Sequence, residues 1–137
     1  MADTHPATSE SDLPDAALPD PVADWFADRG WAPHAHQLEM LAAARAGQSA
    51  LLIAPTGGGK TLAGFLPSLC QLAERPRAGL HTLYISPLKA LTQDIQRNLE
   101  TPVSEIGLDV SIETRTGDTP QGKRKRQRLN PPNMLLT

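Results

Sequence analysis

The residues best suited to chemistry stand in one run, Ala54-Pro-Thr-Gly-Gly-Gly-Lys60-Thr61. Gly57, Gly58 and Gly59 open backbone conformations closed to residues with a Cβ, so successive N–H groups can turn inward around phosphate oxygens. A helix starting near Lys60 aims its unpaired N–H groups and the positive end of its dipole at the same anion. The Lys60 ammonium can reach the β/γ-phosphates, and the Thr61 hydroxyl can ligate Mg²⁺. Ala54 stands where the general phosphate-loop pattern has its first glycine. The context fits as well. Leu51, Leu52 and Ile53 form a short apolar run, expected to be a buried parallel strand. After the loop, Leu62, Phe65, Leu66, Leu69 and Leu72 recur at helical spacing.

The elements that must position this loop follow from the rest of the chain. Val22 to Gly30 reads as a short helix with Trp25 and Phe26 inward, and His34 to Ala46 as a second. The helix after the loop runs to about Ala73, with a kink expected at Pro67. His81 to Ser86 reads as a strand. Leu88 to Glu100 reads as a helix with Leu88, Leu91, Ile95 and Leu99 inward, ended or kinked at Thr101-Pro102. Val110 to Arg115 alternates as a further strand. Thr119 and Pro120 read as the cap and first residue of a helix that carries Lys123, Arg124, Lys125, Arg126 and Arg128. These charges go round the helix, which reads as a solvated face. Asn133 to Thr137 is the last strand. The alternation implies an α/β fold, a parallel sheet with helices on both faces.

The 137 residues allow one domain of ordinary size. Residues 1–21, rich in Asp, Pro, Ala, Ser and Thr, are expected to be a disordered acidic tail, leaving 22–137 as the folded part. Residues 1–28 hold seven acids and no Lys or Arg; the remainder has eight acids against thirteen bases, a net charge of +5. A basic body suits a polyanionic partner. The single cysteine, Cys70, excludes an internal disulfide and a cysteine-cluster zinc site, and its leucine neighbours make it a core residue. No apolar run is long enough to span a bilayer and the N-terminus lacks a signal-peptide pattern, so a cytoplasmic protein is expected.

Taken together, these motifs resemble those of a superfamily 2 DEAD/DEAH-box DNA helicase. Ala54 to Thr61 looks like its motif I. Ser86-Pro-Leu-Lys-Ala-Leu91 resembles motif Ia, and Arg115-Thr-Gly-Asp-Thr119 the turn after the next strand. The combination is typical of the large-helicase-related (Lhr-type) group, closest to its bacterial branch of ligase-associated DEXH-box helicases. The resemblance covers Val22 to Thr137 and implies the N-terminal part of a RecA-like P-loop NTPase domain. It implies ATP and Mg²⁺ as cofactors, held by Thr56, Gly57, Gly58, Gly59, Lys60 and Thr61, with Lys60 and Thr61 catalytic and Thr61 on the metal. Gln37 matches the family's upstream adenine-reading glutamine, whose amide offers one donor and one acceptor to the base edge. Pro87, Lys89, Thr116 and Gly117 are the implied nucleic-acid contacts, gripping the backbone of a single DNA strand without reading bases. The resemblance further implies a DNA-repair role with ligase or nuclease partners.

Two departures stand out. The sequence holds no apolar strand ending in Asp-Glu, which the family uses to hold Mg²⁺ and position water, and no second RecA-like domain. The chain alone is therefore expected not to turn over ATP, and to fold poorly. The family's adenine-stacking aromatic lies 17 positions before the glutamine, where this sequence has Asp20; Trp25 or Trp31 can substitute. The alternatives are a non-enzymatic nucleotide- or DNA-binding module and a small P-loop kinase.

Overall fold

A computed structural model describes residues 16–55 and 59–137. The elements run α1 (Asp20–Asp28), α2 (Ala35–Arg45), α3 (Lys60–Glu74), β1 (Thr82–Tyr84), α4 (Lys89–Ile106), β2 (Ile112–Thr114), α5 (Gln121–Leu129) and β3 (Met134–Leu136). The three strands form a parallel sheet in the order β1-β3-β2. Thr82, Met134 and Ile112 stand level across it, as do Tyr84, Leu136 and Thr114.

α3 is the hinge of the packing because it is apolar on two sides. Phe65, Leu69 and Leu72 join Ile95, Leu99 and Val103 of α4 over Met134 and Leu136 of β3. Leu66 and Cys70 face the other way, into a cluster with Val22, Trp25 and Phe26 of α1 and Leu41 of α2. One helix thus couples the sheet to the N-terminal helix pair. Glu113 lies on the opposite sheet face, since neighbouring residues alternate, and there it accepts bonds from Arg126 and Gln127 of α5.

Asn133 ties the starts of the strands together. Its Oδ1 accepts from the Ser111 N–H at 3.0 Å, and its Nδ2 donates to the carbonyls of Arg77 at 2.7 Å and Gly79 at 3.1 Å. The amide is thereby nearly saturated, as a buried Asn must be.

Several expectations need correction. Leu51–Ile53 forms no strand, and Leu51 and Ile53 are 84% and 85% exposed. A strand needs a neighbour to take its N–H and C=O groups, and no strand of the described residues lies beside this run. Leu88 and Leu91 are exposed; α4 starts at Lys89, with Leu88 as its extended cap residue, and its inward face is Thr92, Ile95, Leu99, Pro102 and Val103. α4 does not end at Pro102 but runs to Ile106, stopped by Gly107 at φ 80°. That left-handed turn suits glycine and closes the helix with bonds from Gly107 N to Ser104 O and Leu108 N to Val103 O. α3 runs through Pro67 to Glu74, close to the expected end at Ala73. Pro120 is the cap residue of α5 rather than its first residue, and Thr119 Oγ1 accepts from Thr116 N at 2.9 Å instead of capping the helix. α1 begins at Asp20, inside the span assigned to the tail. The rest of that tail, residues 1–15, lies outside the described residues.

Candidate nucleotide and nucleic-acid site

Gly59 is the N-cap of α3, with φ 73° and ψ 27°, a conformation that favours glycine. A Cβ there would stand 2.8 Å from Gln37 Nε2 and 3.3 Å from His34 Cδ2, so the space is closed as well as the conformation. Gln37 Nε2 donates to Gly59 O at 3.3 Å, and Gln37 Oε1 accepts from His34 N at 2.8 Å. Gln37 is 2% exposed, and these bonds fix its amide. One N–H and one oxygen lone pair remain for a base edge. Gln37 and Gly59, far apart in the sequence, thus meet in space.

Lys60 and Thr61 are exposed in the first turn of α3. They line a cavity of about 310 Å³ with Gly64 and Phe65 of the same helix and Thr82, Leu83 and Tyr84 of β1. Thr56, Gly57 and Gly58 lie outside the described residues. A Mg²⁺ ion fits the donor chemistry: Thr61 offers one hard oxygen, and no group of three His, Cys, Asp or Glu side chains capable of holding a metal occurs among the described residues. An ion there would share its shell with phosphate oxygens and water, as Mg²⁺ ordinarily does.

A second group gathers beyond the carboxyl ends of β1 and β2, where open parallel sheets bind ligands. Ser86 Oγ accepts from Leu88 N at 3.2 Å and shapes the turn through Pro87 into α4. Lys89 pairs with Asp118, next to Gly117, so the Ser86–Leu91 and Arg115–Thr119 motifs touch. Arg124 donates to the carbonyls of Thr116 at 2.7 Å and Gly117 at 3.0 Å, fixing that turn. The pair brings the start of α4, with Lys89, beside the turn that holds Thr116 and Gly117. The α5 cations are less freely solvated than the sequence suggests, since Arg124 holds the turn and Arg126 pairs with Glu113.

Sequence reasoning missed the cluster behind the Gln37 site. Glu105 of α4 accepts from Trp25 Nε1 at 2.7 Å and from Arg29 Nε at 2.9 Å. The Arg29 guanidinium lies 5.4 Å from the centroid of Trp25 and 4.8 Å from that of Trp31. Hydrogen bonds from Arg29 and then Trp25 hold the Glu105 carboxyl below its ordinary range. No sequence spacing links residues 29 and 105; only the packing of α1 on α4 does.

A parallel sheet flanked by helices, with a glycine-capped helix opening on Lys-Thr, defines an α/β domain of the RecA-like kind. The chain belongs to the DEAD/DEAH box helicase family, whose model matches residues 34–137. It is 41% identical over 127 residues to the Lhr helicase/probable uracil glycosylase of Mycolicibacterium smegmatis, covering 83% of this chain and 8% of that protein. It is 40% identical over 146 residues to the Lhr helicase/uracil glycosylase of Escherichia coli, covering 91% and 9%. Among solved structures it resembles the Mycobacterium smegmatis helicase Lhr bound to ssDNA and AMP-PNP, with a TM-score of 0.79 at 38% identity over 88% of this chain and 17% of that one. The chain thus spans less than a tenth of the length of these two relatives. No helix of the described residues is long and apolar enough to cross a membrane.

Proposed function

We propose that this chain is the ATP- and strand-gripping part of the first motor domain of an ATP-dependent DNA helicase. The observation that carries the reading is Gly59: a left-handed glycine, closed against Gln37, turns the chain into a helix that presents Lys60 and Thr61. Gln37 reads the adenine edge. The loop from Thr56 to Gly59 cradles the phosphates with backbone N–H groups, and Lys60 stabilises charge on the transferring phosphoryl group. Mg²⁺, when bound at Thr61, neutralises phosphate charge. Pro87, Lys89, Thr116 and Gly117 grip the backbone of single-stranded DNA, which fits a solved relative described as bound to ssDNA and a nucleotide analogue. A cytoplasmic DNA-repair role, with ligase or nuclease partners, completes the proposal.

Hydrolysis needs a water-positioning carboxylate that this sequence does not supply, so the test uses a longer protein that contains it. There, Lys60→Ala should abolish DNA-stimulated phosphate release, because positioning and charge stabilisation are most of what such an enzyme contributes. Turnover within a few-fold of the unsubstituted protein would overturn the assignment.

A further inference from the structure

We infer that the cleft at the amino end of β1 is a binding site for a phosphate dianion, separate from the phosphate loop. The cleft opens where α2 and α3 end, with a volume of about 470 Å³, and is lined by Arg45, Gln71, Glu74, Arg75, Arg77 and His81. None of these residues belongs to the proposed nucleotide or DNA contacts. Lys60 and Glu74 are the two ends of α3. They stand about 20 Å apart at the helical rise of about 1.5 Å per residue. The turn that carries Lys89 follows the other end of β1.

The fold accounts for one of the three arginines. Arg45 stands in the last turn of α2, where it donates to Glu74 at 2.7 Å and to Ala17 O at 2.6 Å. Arg75 and Arg77 form no ion pair among the described residues. Arg77 makes one long bond, 3.4 Å, to Leu80 O. Three arginines less one glutamate, with His81 neutral, leave the cleft at +2. A phosphate monoester carries about −1.5 to −2 near neutral pH, which matches that excess. A planar carboxylate suits a single guanidinium, whereas a phosphate group turns three oxygens towards donors on different sides.

The donors are also held in place. Asn133 Nδ2 donates to Arg77 O at 2.7 Å, and Asn133 O accepts from His81 N at 2.8 Å, so their loop is tied to the start of β3. A loop fixed in advance has less ordering cost at the binding step. His81 Nδ1 lies 2.7 Å from Thr82 Oγ1, whose hydroxyl donates to Ser68 Oγ at 2.8 Å. With that proton committed to Ser68, Nδ1 donates to Thr82, and Nε2 is left without a partner among the described residues. Burial first, and then the Arg77 charge, hold His81 below its ordinary range. Arg45, Glu74, Arg75 and Arg77 are the charged groups that share the cleft with this ring. An anion among them offsets the Arg77 repulsion and favours the imidazolium, whose Nε2–H is a further donor.

The test follows the His81 ring by NMR in the purified protein, its resonance assigned with His81→Asn. At about pH 6.5, the ordinary histidine value, the ring starts mostly neutral. Inorganic phosphate at constant ionic strength should move its resonance towards the imidazolium position, and acetate should not. Arg75→Ala and Arg77→Ala should each weaken the phosphate response about two- to fivefold, the upper range for exposed ion pairs. Both variants should keep the MgATP affinity and the melting temperature of the unsubstituted protein. Lys60→Ala should leave the response intact; its loss there would put the phosphate in the phosphate loop and overturn the inference. Single-stranded oligothymidylate with a 5′-phosphate, compared with its 5′-hydroxyl counterpart, identifies the source. A response to the phosphorylated strand alone assigns a strand end, and a response to inorganic phosphate but neither strand assigns the free anion; both support the site. Equal responses to the two strands, a response to acetate equal to that to phosphate, or no response to phosphate overturns it.

Discussion

Gly59→Ala is the substitution whose consequences the structure defines best. The new residue must either keep φ near 73° or move. Holding an L-residue in the left-handed region costs about 1–2 kcal/mol. The added Cβ would also meet Gln37 Nε2 at 2.8 Å, well inside ordinary van der Waals contact. Displacing the amide breaks its bond to Gly59 O and strains its bond to His34 N, each worth about 1 kcal/mol. The total is about 3 kcal/mol. Removing the Gln37 side chain relieves the closest contact, so in a Gln37→Ala background the backbone strain and the 3.3 Å approach to His34 Cδ2 remain. A double-mutant cycle read by urea denaturation should then show the double variant about 1–2 kcal/mol more stable than the sum of the single effects. Additivity within about 0.5 kcal/mol would refute the claim that the glycine is required by the packing of Gln37 as well as by its dihedral angle.

Further outcomes are expected elsewhere. Lys89→Ala should weaken single-strand binding equally across sequences and flatten its salt dependence by about one phosphate contact, whereas Asp118→Asn, which frees Lys89, should strengthen binding; an unchanged salt slope in Lys89→Ala contradicts the assignment. Burial pushes the Cys70 thiol up to about 12, so alkylation at pH 7.5 should be undetectable in the native protein and prompt in urea; rapid native labelling contradicts the packing of α3 on α1 and α2. Glu105 is lowered by hydrogen bonds from Arg29 and Trp25. For Glu113, burial raises the pKa, but bonds from Arg126 and Gln127 outweigh it and leave it lowered. Depressed carboxylates stabilise the fold above their unfolded value of about 4.5, and this is lost as pH falls through the folded values. The melting temperature should therefore drop below about pH 4.5, less steeply in Glu105→Gln; an identical acid limb in that variant counts against the Glu105 cluster. Leu66→Ala should cost about 2–5 kcal/mol in chemical denaturation, since Leu66 is fully buried where α3 meets the N-terminal helices; a loss under about 1 kcal/mol contradicts that core.

What could be read in the sequence was local. The apolar residues of α3 at helical spacing and the alternation around Ile112 each announce an element within a few residues, and both elements form, whereas the strand expected before the glycines does not. Leu51–Ile53 is apolar enough for a strand, but strand formation depends on a partner, and no property of the run itself supplies one. The buried face of α4 was misjudged at its start because Leu88 and Leu91 continue the apolar spacing into a turn that faces solvent. Pro102 reads as an end or a kink, and the helix does not end there: proline's missing donor disturbs one bond of the ladder, and the burial of Pro102 and Val103 outweighs it. In the site, Gln37 and Lys60 could be paired through the family pattern. Arg29, Glu105 and Asp118 could not, because their roles arise only when separate helices and turns are brought together.

The placement of β3 fixes a sequence of events during synthesis. β3 is the last strand in the chain yet the middle one of the sheet, with β1 and β2 each bonded to it and not to one another. Until Leu136 leaves the ribosome, the two earlier strands have no partner. Translation at about 5–20 residues per second leaves β1 waiting several seconds after Tyr84 emerges. The buried residues of the α1, α2 and α3 cluster all precede Glu74, so that cluster can begin to assemble in that interval, with Glu105 and Ile106 of α4 joining it later. The nascent chain is thus expected to acquire its helical half first, with the backbone edges of β1 and β2 open to chaperone capture until the central strand arrives.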